Sequence, residues 1–319
     1  MSDTKPESFA AWINFYLDDC CASGQSLRTV RIKRCNLTLF VKWCLSEDIA
    51  SPAAVSKKVL EAYKRYLNTY INSRTNNQLS LGTRKNRLTA VKTMFTRMVY
   101  LEVIATSPLA AFELPKVPKR LPTAFLTFEE IEEVFAQTLM YGLKGMRDRA
   151  MLETYYAAGI RRMELGNLEI SDINFKTKKL RVNNGKGAKD RLVPIAKRAR
   201  EWIRQYLQFS RPSLKTFHSG QTLFLSNSGG KFGETQLSEL VKKYLLMAGY
   251  DVNAACNVFR HSAATHMLEG GADIRQIQVY LGHADISTTM VYTHITNPEL
   301  ERTYEKSHPA ANEQPHIDT

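Results

Sequence analysis

Three prolines fall within eight residues at Pro115-Lys-Val-Pro118-Lys-Arg-Leu-Pro122. Proline fixes φ, removes a backbone donor and biases the preceding residue toward extended backbone, so no helix can run through this stretch. The chain is therefore expected to fold as two bodies joined by an extended, semi-rigid connection. A length of 319 residues leaves room for a core on each side. The expected division is a helical domain over 1–114, a linker over 115–123, a second domain over 124–296 and a C-terminal helix and tail over 297–319.

Residues 7 to 112 read as almost entirely helical. Phe9, Trp12, Ile13, Phe15 and Tyr16 supply an apolar face, and Ser23-Gly24 breaks it before Ser26 opens a second helix carrying Leu37, Phe40, Val41, Cys44 and Leu45. A third helix spans roughly Ser56 to Ile71, and a fourth runs from about Leu81 to Leu101 with Leu88, Val91, Met94, Phe95 and Met98 on one side. Arg28, Arg31, Lys33 and Arg34 crowd the start of the second helix, and Arg84, Lys85, Arg87 and Lys92 the fourth, with no acid among them. A basic run is commonly a solvated helix face. Two such runs, joined by Lys116, Lys119 and Arg120 in the linker, point instead to phosphate contacts along a nucleic-acid backbone.

Charge supports that direction, since Lys plus Arg number 44 against 31 Asp plus Glu, a net +13. Such an excess favours a polyanion, either nucleic acid or an anionic membrane surface. No apolar run reaches the ~18 residues of a membrane span and the N-terminus has no signal-peptide pattern, so nucleic acid is the expected partner and no membrane is expected. Five cysteines without a Cys-x-x-Cys pair suggest small buried hydrophobes in a reducing, cytoplasmic compartment.

Beyond the linker, Thr127-Phe-Glu-Glu130 reads as a capping box. A helix over Arg147–Ala158 buries Met151, Leu152 and Tyr155 and is ended by Gly159, and Arg161 begins the next. From Asp172 to Ile195 the period changes to that of a small antiparallel sheet, with Lys186 at the tip of its second hairpin. Helices follow over Lys197–Gln208 and Gln236–Met247, separated by Leu223-Phe-Leu225 and a Gly229-Gly turn. The last third then gathers Asn257-Val-Phe-Arg260-His261-Ser-Ala-Ala-Thr-His266, Tyr280-Leu-Gly282-His283 and Val291-Tyr292-Thr293-His294. Asn257 reads as a helix N-cap that puts Arg260 in the first turn, where backbone N–H groups favour an anion. Asp273 caps the next helix, whose buried face is Ile274, Ile277 and Leu281, and Gly282 ends it. Arg260 and four histidines within these three segments suggest a phosphate site.

Four blocks, in order, resemble the tyrosine recombinases, or phage integrase family. They are Ala158-Gly-Ile-Arg161-Arg-Met-Glu164-Leu165, Gly185-Lys186-Gly-Ala-Lys-Asp-Arg191-Leu-Val-Pro194, Asn257 to His266, and Leu281-Gly-His283 followed by Ser287-Thr-Thr-Met-Val-Tyr292. The resemblance implies a mainly α fold with a small antiparallel β-sheet in the C-terminal domain: a helical core-binding domain followed by an α+β catalytic domain, closing as a clamp around DNA. It implies a site-specific recombinase, of a mobile element or phage, that cleaves and rejoins duplex DNA through a 3′-phosphotyrosyl link. By resemblance Tyr292 is the nucleophile, Arg161 and Arg260 hold the phosphate oxygens, Lys186 protonates the leaving 5′ oxygen and His283 hydrogen-bonds the phosphate. Glu164 orients Arg161, and His261 supports the site. Neither metal nor other cofactor is implied, because the exchange stores bond energy in the tyrosyl ester. The resemblance also implies a tetramer on two specific DNA sites, with the segment after Asn297 exchanged between protomers.

One position departs from the family, which commonly has a histidine three residues before the second arginine. Here it is Asn257, which can donate a hydrogen bond but cannot act as an acid or base near neutral pH. The alternatives are a weakened or inactive DNA-binding regulator of the same fold and, at greater distance, a type IB topoisomerase. His266, His283 and His294 match no metal-ligand spacing, and His266 is expected to be structural.

Overall fold

In a computed structural model the described residues are 8–73, 75–118, 125–183, 190–251, 255–283 and 289–290, with the side chains of 255 and 256 outside them. The C-terminal segment over 297–319 lies outside them as well. The chain forms two compact units, Met1–Lys119 and Arg120–Thr319.

Among its described residues the first unit has four α-helices: α1 (Phe9–Ala22), α2 (Leu27–Ser46), α3 (Lys57–Thr69) and α4 (Leu81–Tyr100). A serine precedes each, and Ser8, Ser26, Ser56 and Ser80 each accept a backbone N–H three residues on. These hydroxyls satisfy donors that a helix start otherwise leaves open. Between α3 and α4 runs a minimal antiparallel pair, β1 (Ile71–Asn72) and β2 (Asn77–Gln78), with Ile71 opposite Gln78. Phe40, Trp43 and Tyr63 pack with Phe40–Tyr63 and Trp43–Tyr63 centroids both 5.0 Å apart, and Trp12 meets Phe95 at 5.2 Å. A two-pronged ion pair from Arg97 to Asp19, 2.7 Å on both arms, ties α4 to α1. Two residues expected on buried faces point out: Phe15 is 41% and Leu45 56% exposed. Helical rotation favours Leu17 and Trp43 in their place.

The second unit opens with α5 (Phe128–Ala136), whose capping box pairs Thr127 N with Glu130 Oε2 at 2.8 Å and Glu130 N with Thr127 Oγ1 at 3.3 Å. Next come α6 (Gly142–Ala158) and α7 (Arg162–Gly166), then β3 (Ile173–Asn174), β4 (Lys179–Val182) and β5 (Arg191–Pro194). The three strands form one antiparallel sheet in chain order, with Leu180 opposite both Ile173 and Val193. After it come α8 (Lys197–Gln205), α9 (Arg211–Leu214), α10 (Glu234–Met247), α11 (Ala255–Glu269) and α12 (Ile274–Leu281). The helix expected to stop at Gln208 instead passes through a π turn over Tyr206–Ser210 into α9, where Pro212 sits in the first turn.

Eleven of the seventeen residues of α6 are buried, so it is the central helix rather than an amphipathic surface one. Its buried charges are paired. Arg147 and Asp148 lie 2.7 Å apart with Tyr244 Oη donating to Asp148 at 2.7 Å, and Glu153 accepts from Arg149 and Arg198, each at 2.9 Å. The end of this rigid helix fixes one wall of the site. Among the described residues no helix is long and apolar enough to cross a membrane.

Candidate active site

Two glycines in left-handed backbone frame the site. Gly159 ends α6 at φ 53°, and Gly282 ends α12 at φ 66°. A Cβ on Gly159 would fall 2.5 Å from the Tyr280 ring, so both the turn and the close approach require glycine there. The carbonyls at these helix ends carry the negative pole of the helix and receive guanidinium groups. Arg260, on α11 and only 4% exposed, donates to Gly159 O and, at 2.8 Å, to Leu281 O. Arg161, at the head of α7, donates to Gly282 O at 2.9 Å. Residues about a hundred positions apart thus share one spot because both helix ends need cationic caps.

Glu164 joins them. It is buried and accepts from Arg161 N at 2.7 Å, Arg161 Nη1 at 2.8 Å, and Arg191 Nη1 and Nη2 at 3.0 and 2.8 Å. Burial alone would raise its carboxyl. The Arg191 fork, the Arg161 backbone N–H and the two positive charges outweigh that and hold it down at about 2, from an ordinary value of 4.5. A depressed carboxyl contributes stability that is complete above pH 4.5 and is lost as pH falls toward 2. The difference in unfolding free energy between the natural chain and Glu164→Gln, measured by denaturant titration, is therefore expected to shrink by roughly 3 kcal/mol across that window.

His283 follows Gly282 directly and its Nδ1 lies 2.9 Å from Oγ1 of the buried Thr289. Burial first, and then the charges of Arg260 and Arg161, push its imidazole down to about 4. Burial and Arg260 do the same to His261. Both rings are neutral at pH 7, so His283 can offer a hydrogen bond without carrying charge. His266 meets Tyr156 Oη at 2.8 Å, a packing role away from the arginines, as expected of it. Among the described residues no group of three or more His, Cys, Asp or Glu is placed to hold a metal ion.

Asn257 is not the N-cap expected of it. α11 already runs from Ala255, so Asn257 is its third residue, exposed, and Arg260 lies in the second turn. Alanine at 255 extends the helix upstream, and helix propensity wins over the capping preference of asparagine. Arg260 would therefore bear on an anion through its guanidinium, its own backbone N–H lying past the free donors of the first turn. Lys186, Tyr292, Lys119 and Arg120 lie outside the described residues.

In the first unit Arg28, Arg31 and Arg34 are exposed on α2, as is Lys116. Arg84, Lys85 and Arg87 are half-buried on α4, with Arg84 bonded to Asn68 and Arg87 5.2 Å over the Tyr70 ring. Lys33 and Lys92 are engaged internally: Lys33 donates to Tyr16 Oη at 2.8 Å, and Lys92 to Phe112 O at 2.6 Å. Sequence reasoning assigned no role to Arg191 or Thr289. The signal for Arg191 was available, since in β5 it shares strand parity with the buried Val193.

A family model described as the phage integrase family matches residues 124–299. The tyrosine recombinase XerC 2 of Ralstonia nicotianae is 38% identical over 299 residues, covering 94% of this chain and 86% of that protein. The tyrosine recombinase XerD of Pasteurella multocida is 31% identical over 94% of this chain and 98% of its own. Among solved structures, XerH site-specific recombinase bound to a palindromic difH substrate as a post-cleavage complex shares the fold with a TM-score of 0.74 at 20% identity, covering 95% and 98% of the two chains. A lambda integrase tetramer bound to a Holliday junction does so with a TM-score of 0.66 at 17% identity, over 90% and 78%. By the matched model and by relatives spanning nearly its whole length, the chain belongs to the phage integrase family of tyrosine recombinases.

Proposed function

We propose that this chain is a site-specific DNA recombinase that breaks and rejoins duplex DNA through a phosphotyrosyl link at Tyr292. The observation that carries the reading is the pairing of Arg161 and Arg260 around the Gly282 turn, beside the neutral imidazole of His283. Each guanidinium is aimed by backbone carbonyls, so the cations are pre-positioned for a phosphate whose charge grows in the transition state. Tyr292 attacks phosphorus as its phenolic proton passes to solvent water, and the bond to the 5′ oxygen breaks as Lys186 gives that oxygen a proton. His283 donates to a non-bridging oxygen, and Glu164 holds Arg161 in place. The tyrosyl ester keeps the bond energy, so rejoining needs neither nucleotide nor metal.

Arg28, Arg31, Arg34, Arg84, Lys85, Arg87 and Lys116, with Lys119 and Arg120, supply phosphate contacts along the duplex. Lys33 and Lys92 contribute less, since their ammonium groups already have partners. A tetramer on two sites is supported by the likeness in fold to the lambda integrase tetramer bound to a Holliday junction, and exchange of the segment after Asn297 fits such an assembly. A mobile-element origin is supported only by integrase neighbours at 16–17% identity. The 30–38% identical relatives carry the Xer name, and we favour a Xer-type recombinase. The test is to select the bound site from random DNA and place two copies on a plasmid. Recombined product in EDTA without nucleotide is the expected result; relaxation of site-free plasmids would mark a topoisomerase instead.

Asn257 favours a second reading, an enzyme slowed at one proton transfer. It is exposed one helical turn before Arg260, at the position where the resemblance to the family implies a histidine. Asn257→His is expected to speed single-turnover cleavage about 10-fold, toward the low end of general acid–base effects, with DNA affinity unchanged.

A further inference from the structure

We propose that Arg191 is a positioning residue for DNA cleavage, aiming Arg161 at the scissile phosphate through Glu164; this rests on the recombinase reading above. Arg191 opens β5, and its guanidinium meets the Glu164 carboxylate as a fork, Nη1 to Oε1 at 3.0 Å and Nη2 to Oε2 at 2.8 Å. The same two oxygens accept from Arg161, Oε2 from its backbone N–H at 2.7 Å and Oε1 from Nη1 at 2.8 Å. One carboxylate is thus shared by two guanidinium groups. The burial is graded: the side chains of Glu164, Arg191 and Arg161 are 6%, 13% and 29% exposed. The better-covered arginine backs the carboxylate, and the more open one faces outward.

Sharing matters for charge. A carboxylate paired with Arg161 alone would cancel that arginine and draw it inward. With Arg191 taking the other half of the interaction, the cluster carries one net positive charge, and the outer guanidinium can pair with a phosphate oxygen. Arg191 also rests against the second group that aims Arg161. A Cβ on Gly282 would lie 2.9 Å from Arg191 Cδ and Nε, and Gly282 O is the acceptor for Arg161 Nη2. The Nε of Arg191 is buried and finds no acceptor among the described residues, so the fork to Glu164 is the polar contact that fixes this side chain. Lysine would supply the charge without the planar fork.

The test measures single-turnover cleavage, DNA affinity and its salt dependence for the natural chain, Arg191→Met, Arg191→Lys, Glu164→Gln and the Glu164→Gln/Arg191→Met and Glu164→Gln/Arg191→Lys doubles. Methionine keeps an apolar stem beside Gly282. Both Arg191 variants are expected to cleave roughly 10²-fold more slowly, the scale of a misplaced catalytic group, with unchanged affinity and salt slope. In the Glu164→Gln background the same Arg191 changes are expected to cost less than about 3-fold, because both act on one pathway. Multiplicative losses would overturn the inference. So would weaker binding with a salt slope reduced by about 1, which marks a direct phosphate contact. If Arg191→Met does not fold, as seen by its melting curve, the lysine pair gives the same comparison. Natural chain that cleaves while Arg191 variants keep its rate overturns this inference alone; natural chain that cleaves no DNA overturns the recombinase reading and this one with it.

Discussion

Tyr292→Phe is expected to lower DNA cleavage by at least about 10⁴-fold, the scale seen when a covalent nucleophile is removed, while DNA affinity stays within about 2-fold. The substitution keeps the ring and deletes one hydroxyl, so binding and chemistry separate cleanly. Tyr280, the tyrosine packed at the described site, offers no substitute. It lies beside Gly159 at the end of α6, but its hydroxyl donates to Tyr156 O at 3.3 Å and Ala157 O at 3.1 Å. Burial pushes that phenol well above the ordinary tyrosine range, with Arg260 only partly offsetting it. Phenolate formation there is disfavoured, and the residual rate in Tyr292→Phe should therefore not be Tyr280 chemistry. Binding by titration and cleavage on a nicked substrate under single-turnover conditions are the two measurements required.

Arg260→Ala is expected to cost about 10³-fold in cleavage, more than a single neutral hydrogen-bond donor would, because a fixed cation in a water-poor site stabilises developing phosphate charge strongly. It should also destabilise the second unit. The side chain is 4% exposed and satisfies the carbonyls of Gly159 and Leu281, two acceptors left open by helix ends. Leaving them unpaired costs about 1–3 kcal/mol each where water cannot reach. Arg260→Lys separates the two effects. It restores charge but not the two-pronged geometry, so melting should recover more fully than the cleavage rate.

The local chemistry of this site was legible from residue types. Gly159 and Gly282 read as helix ends and are left-handed; Asp273 read as a cap and its carboxylate accepts Arg275 N at 2.7 Å. The three strands fall where the period changes. What sequence could not supply was pairing across distance. Arg260 with Gly159 and Arg161 with Gly282 are joined over 101 and 121 residues, and backbone carbonyls leave no trace in side-chain identity. Asn257 was misread because a capping preference is a local signal that upstream helix propensity can override. Phe15 and Leu45 were misread because a helix with apolar residues on several sides does not announce which side its neighbours cover. Arg191 lies within one of the four blocks yet drew no role, because charge on a strand ordinarily means a solvated face, and only the buried Glu164 opposite it explains an inward arginine.

The most direct test of the central claim is the identity of the atom that holds the DNA. A suicide substrate carrying the selected site should trap a covalent complex that survives denaturation. After digestion of protein and DNA, fragmentation mass spectrometry should place a 3′-phosphonucleotide on Tyr292. A nucleotide on Tyr280 or any other residue, or no covalent complex on a site that the chain binds tightly, would contradict the account.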